Sequence, residues 1–162
     1  MENYTTEIDD YTALSETTFN ATWLTAANQL TEYVCDHFFD TISSMFFFTS
    51  NQDTDLIARK MKIEDNVIPA SNSIMAKNLF KLSHYFANSY YLKVREQMLQ
   101  NVKQRTQQYG SGFSNLLQLG SNFVGDFYEI AISGKDALIK LKEINQNYIP
   151  NKLIAGSTQK SN

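Results

Sequence analysis

The feature that most constrains this sequence is an internal repeat, which relates residues 14–34 to residues 82–102. Both copies carry large apolar side chains three and four positions apart, the spacing of one face of an α-helix. A repeated helical unit leaves an apolar face that a neighbouring unit must cover. The sequence therefore predicts two helical hairpins packed side by side. The matching positions are Leu14 with Leu82, Ser15 with Ser83, Trp23 with Tyr91, Leu24 with Leu92, Gln29 with Gln97, Leu30 with Met98 and Val34 with Val102.

The same periodicity sets the expected bounds of the helices. Turns are expected at Asn20 and Asn88, because asparagine favours turns and helix ends. Breakers are scarce before Gly110, so the helices can be long. The predicted helices cover residues 6–19, 22–39, 71–86 and 90–107.

The segment between the two hairpins predicts a small β-hairpin near residues 45–62. Residues 45–49 are mostly aromatic and suit a strand, residues 50–55 suit a turn, and residues 56–62 suit the returning strand. Pro69 excludes a helical conformation for the residue before it. Ser71 is then the expected N-cap of the third helix.

The chain changes character after Gly112. A short helix is expected over 113–123, followed by strands over 127–132 and 152–155 that flank a helix over 135–148. This order is the minimum for a parallel crossover. The predicted fold class is therefore mainly α, with helical hairpins over 1–124, a β-α-β appendage over 125–156 and a disordered tail over 157–162.

Composition excludes several classes of function. The net charge of −3 provides neither a basic surface for nucleic acid nor a polybasic patch for a membrane. The N-terminal residues do not resemble a signal peptide, so we expect a cytoplasmic location. No spacing of ligating side chains resembles a metal site, and no cofactor is expected. Cys35 is the single cysteine and lies on an apolar stripe, which favours a buried, unreactive thiol.

Three stretches resemble a known family, the thioredoxin-domain-containing proteins of the spermatogenesis-associated type. They are residues 8–11 (Ile-Asp-Asp-Tyr), residues 45–50 (Met-Phe-Phe-Phe-Thr-Ser) and, most specifically, residues 65–73 (Asp-Asn-Val-Ile-Pro-Ala-Ser-Asn-Ser). The resemblance runs from about residue 8 to residue 156. It implies an N-terminal thioredoxin-like domain followed by an (α/α)6 toroid, similar to sugar epimerases and six-hairpin glycosidases. This chain would supply the last hairpins, and its partners would include the upstream toroid and the thioredoxin-like domain.

The departures from the family pattern bear on activity. The chain has no Cys-x-x-Cys motif, so the redox chemistry that the family name implies cannot reside here. Family members usually have two glycines before the aromatic strand, where this chain has Ser43 and Ser44.

The resemblance also suggests where a ligand would bind. In an α/α toroid the inner helices are parallel, and their N-terminal turns meet at one mouth of the barrel. This arrangement would bring Asp10 and Tyr11 near Asn66, Ser71 and Asn72. Their hydroxyl, amide and carboxylate groups, beside helix N-termini, suit a sugar-like small molecule. The alternative is that Ser71 only caps its helix and Asn66 only shapes the turn before Pro69.

Catalysis on a sugar would need two positioned carboxylates or a histidine pair. The sequence offers Asp9, Asp10, Glu64 and Asp65, without showing which faces inward, and His37 and His84 are better interpreted as satisfied histidines. Three hypotheses follow. The first is a toroid fragment that contributes to a carbohydrate-type cavity but is not catalytically complete, the second is a non-enzymatic binding or interaction module, and the third is part of an epimerase or glycosidase. Because two hairpins leave two open flanks, we also expect self-association.

Overall fold

In a computed structural model of the protein, residues 1–53 and 58–159 are described. These residues form six α-helices, one short 3-10 helix and four short strands, so the fold is mainly α, as the sequence predicts. No helix in this part of the chain is long and apolar enough to cross a lipid bilayer.

The first hairpin consists of α1 (Glu2–Thr18) and α2 (Ala21–Phe38). The connection needs only Phe19 and Asn20. Phe19 adopts a left-handed conformation, with φ of 55°, and its backbone N–H donates to Ser15 O. Asn20 then caps α2, because its side chain accepts a hydrogen bond from Thr22 N at 3.0 Å.

The second hairpin repeats this construction further along the chain. It consists of α3 (Ser71–Tyr85) and α4 (Ser89–Gln108). Ala87 has φ of 48°, like Phe19, and Asn88 Oδ1 accepts from Tyr90 N and Tyr91 N, as Asn20 does for α2. The repeat seen in the sequence is therefore a repeat of the whole hairpin, including its turn.

The first helices of the two hairpins, α1 and α3, are parallel. Thr5 O, near the beginning of α1, accepts from Asn78 Nδ2, in the middle of α3, at 2.8 Å, and near the ends of both helices the Tyr85 hydroxyl lies 2.9 Å from Glu16 Oε1. The contacts therefore keep the same order along both helices. Because each hairpin is antiparallel, α2 and α4 are parallel too.

A hydrogen bond from the Tyr91 hydroxyl, near the beginning of α4, to Asn28 Oδ1, near the middle of α2, joins the second helices of the hairpins at 3.0 Å. The core lies between the α1/α3 layer and the α2/α4 layer. Thr12 and Thr31 are buried there although they are polar. Each can be buried because its hydroxyl donates to a carbonyl of the preceding helical turn, Ile8 O and Ala27 O respectively. The fully buried apolar side chains of these helices include Ile8, Ala27, Val34, Met75, Leu79, Leu82 and Met98.

The predicted β-hairpin over 45–62 is wrong in its pairing. β1 (Phe39–Asp40) pairs with β2 (Met45–Phe46) in antiparallel register, so the aromatic run returns onto the end of α2. Of the expected returning strand, residues 56 and 57 lie outside the described residues and residues 58–62 are not a strand. Within the described residues, only the bond from Phe48 N to Lys60 O, at 2.7 Å, joins the two stretches through the backbone.

After α4 come a 3-10 helix (Gly110–Phe113) and α5 (Ser114–Ser121). The appendage consists of β3 (Tyr128–Ser133), α6 (Ala137–Asn145) and β4 (Lys152–Ser157), and its strands are parallel, as a crossover requires. β4 includes Ser157, which the sequence analysis assigned to the tail. Residues 160–162 of that tail lie outside the described residues.

β4 fixes the appendage to the end of the first hairpin. Gly156 lies so close to the Phe19 ring that a Cβ there would be 2.4 Å from ring carbons. The Tyr85 hydroxyl lies 2.8 Å from Ile154 O and 2.9 Å from Glu16 Oε1, so its one proton is shared between two acceptors and the contact joins β4 to α3 as well.

We expect Asn72→Ala to lower the free energy of unfolding by about 3 kcal/mol, because it leaves buried backbone groups without partners. The Asn72 side chain is fully buried, accepts from Phe46 N at 2.8 Å, and donates to Phe46 O and Lys62 O at 2.9 Å. Urea denaturation measures the change. Asn66→Ala is the matched control, since Asn66 is exposed. A change within about 0.5 kcal/mol is expected for that control, and equal effects of the two substitutions would contradict the prediction.

Candidate functional site

The five residues predicted to line a cavity do not share one environment. α1 begins at Glu2. Asp10 and Tyr11 therefore lie about 12 Å along the helix rather than at its start. The neighbouring Asp9 pairs with Lys81 at 3.0 Å, well beyond the beginning of α3, so this part of α1 lies alongside the second half of α3. Ser71 and Asn72 do come together, at the first turn of α3, and Asn66 precedes that helix.

Tyr11 takes part in packing within the first hairpin. Its ring stacks on Trp23, with centroids 5.5 Å apart and planes inclined by 27°. Its hydroxyl donates to Glu7 Oε1 at 2.7 Å, and this hydrogen bond raises the pKa of Tyr11. Asp10, next to it, is exposed on α1.

The first turn of α3 is built into the interior. Ser71 is not the N-cap, because Ala70 occupies that position with extended backbone angles and Ser71 is already helical. The Ser71 hydroxyl is buried, and it has no hydrogen-bond partner in the described part of the chain. Asn66, in contrast, is exposed, and its backbone N–H donates to Ile68 O at 3.1 Å.

Among the described residues no side chain caps α3, and Asp65 instead binds the backbone of its N-cap residue. Its Oδ1 accepts from Ala70 N and its Oδ2 from Asn115 N, both at 2.9 Å. One carboxylate thus binds the beginnings of both α3 and α5. Burial raises the pKa of Asp65, but these amide hydrogen bonds outweigh that effect and lower it below its usual range.

A cleft of about 640 Å³ lies between the ends of α1 and α3 and the appendage. A smaller cavity of about 180 Å³ adjoins it and shares Lys81, Pro150 and Lys152 with it. Lys77 lines the smaller cavity. α3 and β4 therefore bring three lysines to these two adjoining cavities, with Lys81 and Lys152 lining both of them. The remaining lining of the larger cleft comes from Glu16, Thr17, residues 145–149 and Ile154.

The three lysines differ in their partners. Lys81 Nζ pairs with Asp9. Lys77 Nζ donates to Asn115 Oδ1 at 2.6 Å and to Gln118 Oε1 at 2.8 Å, and burial lowers its pKa. Lys152 Nζ donates to Ile149 O at 3.2 Å. Among the described residues, neither Lys77 nor Lys152 forms an ion pair.

The sequence analysis missed these lysines as a group. Lys77 and Lys81 are four positions apart on α3, and this spacing, which places them on one face of a helix, was the available signal. Lys152 is remote from both in the sequence, and only the parallel crossover brings it near them. Its proximity could not be inferred from spacing.

Three of the four carboxylates considered for catalysis and both histidines are engaged elsewhere, and Asp10 is exposed on α1. Glu64 contacts Arg105, while Asp9 and Asp65 are bound as described above. His37 Nδ1 lies 2.9 Å from Asn51 Oδ1, and His84 Nδ1 contacts Glu129. Within residues 1–53 and 58–159, no group of three or more potential ligands is placed to hold a metal ion.

No protein-family model matches this chain, and no curated protein matches it. The family resemblance and what it implies about activity therefore remain proposals.

We expect Cys35 in the folded protein to react with iodoacetamide at pH 8 at least a hundredfold more slowly than a free thiol, because the thiolate is the reactive form. Burial, together with the nearby Asp36 and Glu32 carboxylates, raises the pKa of Cys35 to about 12. Mass spectrometry of timed aliquots measures the rate, and the urea-unfolded chain is the control. Alkylation of the folded chain at the rate of the unfolded one would show that the thiol is ionised and accessible.

Proposed function

We propose that this protein is a small-molecule-binding module without a complete active site, and that the cleft between the hairpins and the appendage is its binding site. The observation that supports this proposal is the convergence of Lys81 and Lys152 on this cleft, with Lys77 in the smaller cavity that adjoins it. The volume, about 640 Å³, lies within the range of ligand sites in proteins.

The charge of the cleft favours an anionic ligand. The chain as a whole carries a net charge of −3, yet three lysines meet here. Two carboxylates lie beside them: Asp9 pairs with Lys81, and Glu16 keeps its charge while it is hydrogen-bonded to the neutral Tyr85 hydroxyl. The three lysines therefore outnumber these two carboxylates by one. A phosphate or carboxylate group would provide Lys77 and Lys152 with the ionic partner they lack among the described residues.

The remaining lining favours a ligand with hydroxyl groups. Asn145, Gln146 and Tyr148 carry donors and acceptors that can bind them. Tyr148 is 92% exposed, so its hydroxyl is accessible to a ligand. A sugar phosphate combines both chemical features. The sugar-like ligand that the sequence analysis expected is thus retained, at a different place in the fold.

We also propose that the two hairpins are a segment of an α/α toroid, of the kind found in the thioredoxin-domain-containing family, in a cytoplasmic protein. The parallel arrangement of α1 and α3 supports this proposal, since inner helices of a toroid are parallel. The neighbouring upstream reading frame is expected to encode further hairpins and a Cys-x-x-Cys motif. An unrelated upstream protein would count against the toroid proposal and leave the ligand proposal intact.

A sugar epimerase or glycosidase, completed by other hairpins, is the enzymatic alternative. Such an enzyme would need carboxylates directed into the cleft. Glu16 is the acidic residue that lines it, and its Oε1 already accepts the Tyr85 hydroxyl. The geometry therefore supports binding better than catalysis.

We expect glucose 6-phosphate to bind this protein more tightly than glucose, and Lys152→Ala to weaken that binding about tenfold, because loss of one charge-assisted contact costs about 1.4 kcal/mol. Isothermal titration calorimetry at low salt measures both quantities. Lys93→Ala is the matched control, because Lys93 is exposed on α4 and lines neither cavity.

Inorganic phosphate separates the two parts of the ligand. Weaker binding of phosphate than of glucose 6-phosphate would show that the sugar hydroxyls contribute. Equal losses in Lys152→Ala and Lys93→Ala would mean that binding depends on overall charge rather than on the cleft, and would overturn the proposal.

A further inference from the structure

The two-stranded sheet of the appendage has one covered edge and one open edge. At the β4 edge, Ile154 O accepts the Tyr85 hydroxyl, so the side of β4 away from β3 is occupied by α3. On the other side, Tyr128 N donates to Asn151 O and Gly134 N donates to Ser157 O, both at 2.9 Å. The even-numbered residues of β3 therefore direct their backbone groups towards β4.

The odd-numbered residues of β3 direct theirs outward. In a parallel ladder alternate residues pair with the neighbouring strand, which leaves the N–H and C=O groups of Glu129, Ala131 and Ser133 facing away from β4. All three residues are exposed. Within the described part of the chain, none of these six groups has a hydrogen-bond partner.

This edge lacks the features that usually protect a strand from pairing. Protected edges carry lysine, proline or a bulge, or are covered by another element. β3 contains neither lysine nor proline, and its register with β4 is unbroken along its whole length. Parallel sheets, moreover, are rarely limited to two exposed strands.

We propose that β3 pairs with β3 of a second copy of this chain, antiparallel and about a two-fold axis at Ala131. In this register Ala131 faces the partner's Ala131, and Glu129 faces the partner's Ser133. Each facing pair exchanges two hydrogen bonds. All six outward groups on each strand are then satisfied, and the sheet order becomes β4-β3-β3-β4.

The sequence of β3 favours a second copy over an unrelated strand because it is self-complementary in this register. The one charged side chain, Glu129, faces a serine rather than a like charge, and its carboxylate contacts His84 of its own subunit. Alanine beside the axis lets the strands approach without a clash. Ile130 faces the partner's Ile132, a favourable β-branched pair. A two-fold interface requires that the same surface of each copy be complementary to itself.

The pairing involves one short strand from each copy, so we expect a weak dimer, with a dissociation constant of tens to hundreds of micromolar, since small interfaces bind weakly. In analytical ultracentrifugation the average mass is expected to rise with concentration from 18.6 kDa towards twice that value. Ala131→Pro is expected to abolish this rise, because it removes an outward N–H that the fold itself does not use. A constant monomer mass up to millimolar concentration would overturn the proposal.

Cross-linking tests the register directly. In a Cys35→Ser background, Ala131→Cys places two thiols opposite each other across the axis, about 5.5 Å apart between Cα atoms, which is within disulfide range. Diamide, which oxidises two thiols to a disulfide, is expected to give a covalent dimer. The control is Glu129→Cys, which is equally exposed. Its two copies would lie about 14 Å apart along the strands.

The two variants separate specific pairing from collision. Rapid disulfide formation by Ala131→Cys, with slow formation by Glu129→Cys, supports the proposed register. Equal rates of disulfide formation by the two cysteine variants would overturn it. So would association that persists in Ala131→Pro, because it would use another surface. Circular dichroism of each variant verifies that the helices are unchanged, so that loss of pairing is not loss of the fold.

Discussion

The buried amide of Asn72 holds together parts of the chain that have little regular structure of their own. It accepts from Phe46 N and donates to Phe46 O and Lys62 O, so β2 and the segment before α3 are both bound to the first turn of that helix. The side chain is fully buried, and an unpaired polar group at such a site is costly. Asn72 thus fixes the connection between the hairpins at two points, Phe46 and Lys62.

Asp65 continues this arrangement towards the cleft. Its two oxygens bind the beginnings of α3 and α5 through Ala70 N and Asn115 N, and a carboxylate at two helix N-termini is also favoured by the helix dipoles. Asn115 Oδ1 then accepts a hydrogen bond from Lys77 Nζ. Because the Asp65 carboxylate binds Asn115 N, it also helps to hold the side chain that orients Lys77. Lys81 follows one turn later on α3. Asn72 and Asp65, which bind the chain at the start of α3, therefore help to position Lys77 and Lys81 relative to the appendage.

The hairpins were predictable because their signals are local and are present twice. Asn20 and Asn88 are each a turn signal within an apolar period, and the structure uses both as caps. Even so, the copies are not equally buried: Leu14 is 39% exposed while Leu82 is fully buried. The incorrect predictions concern features that depend on contacts between residues far apart in the sequence. The aromatic strand pairs with β1 rather than with the residues that follow it, and Ala70 rather than Ser71 is the N-cap of α3.

The β-α-β appendage has two sides with different chemistry, and its topology separates them. β4 contributes Lys152 and Ile154 to the cleft, while the outward backbone groups of β3 lie at the opposite edge of the sheet. A ligand in the cleft would contact β4 and α3, and a second copy would contact β3. Neither site uses the other's residues, so occupation of one leaves the other free. Any energetic coupling between them would require the sheet to shift on the hairpins, and the close approach of Gly156 to Phe19 leaves little room for such a movement.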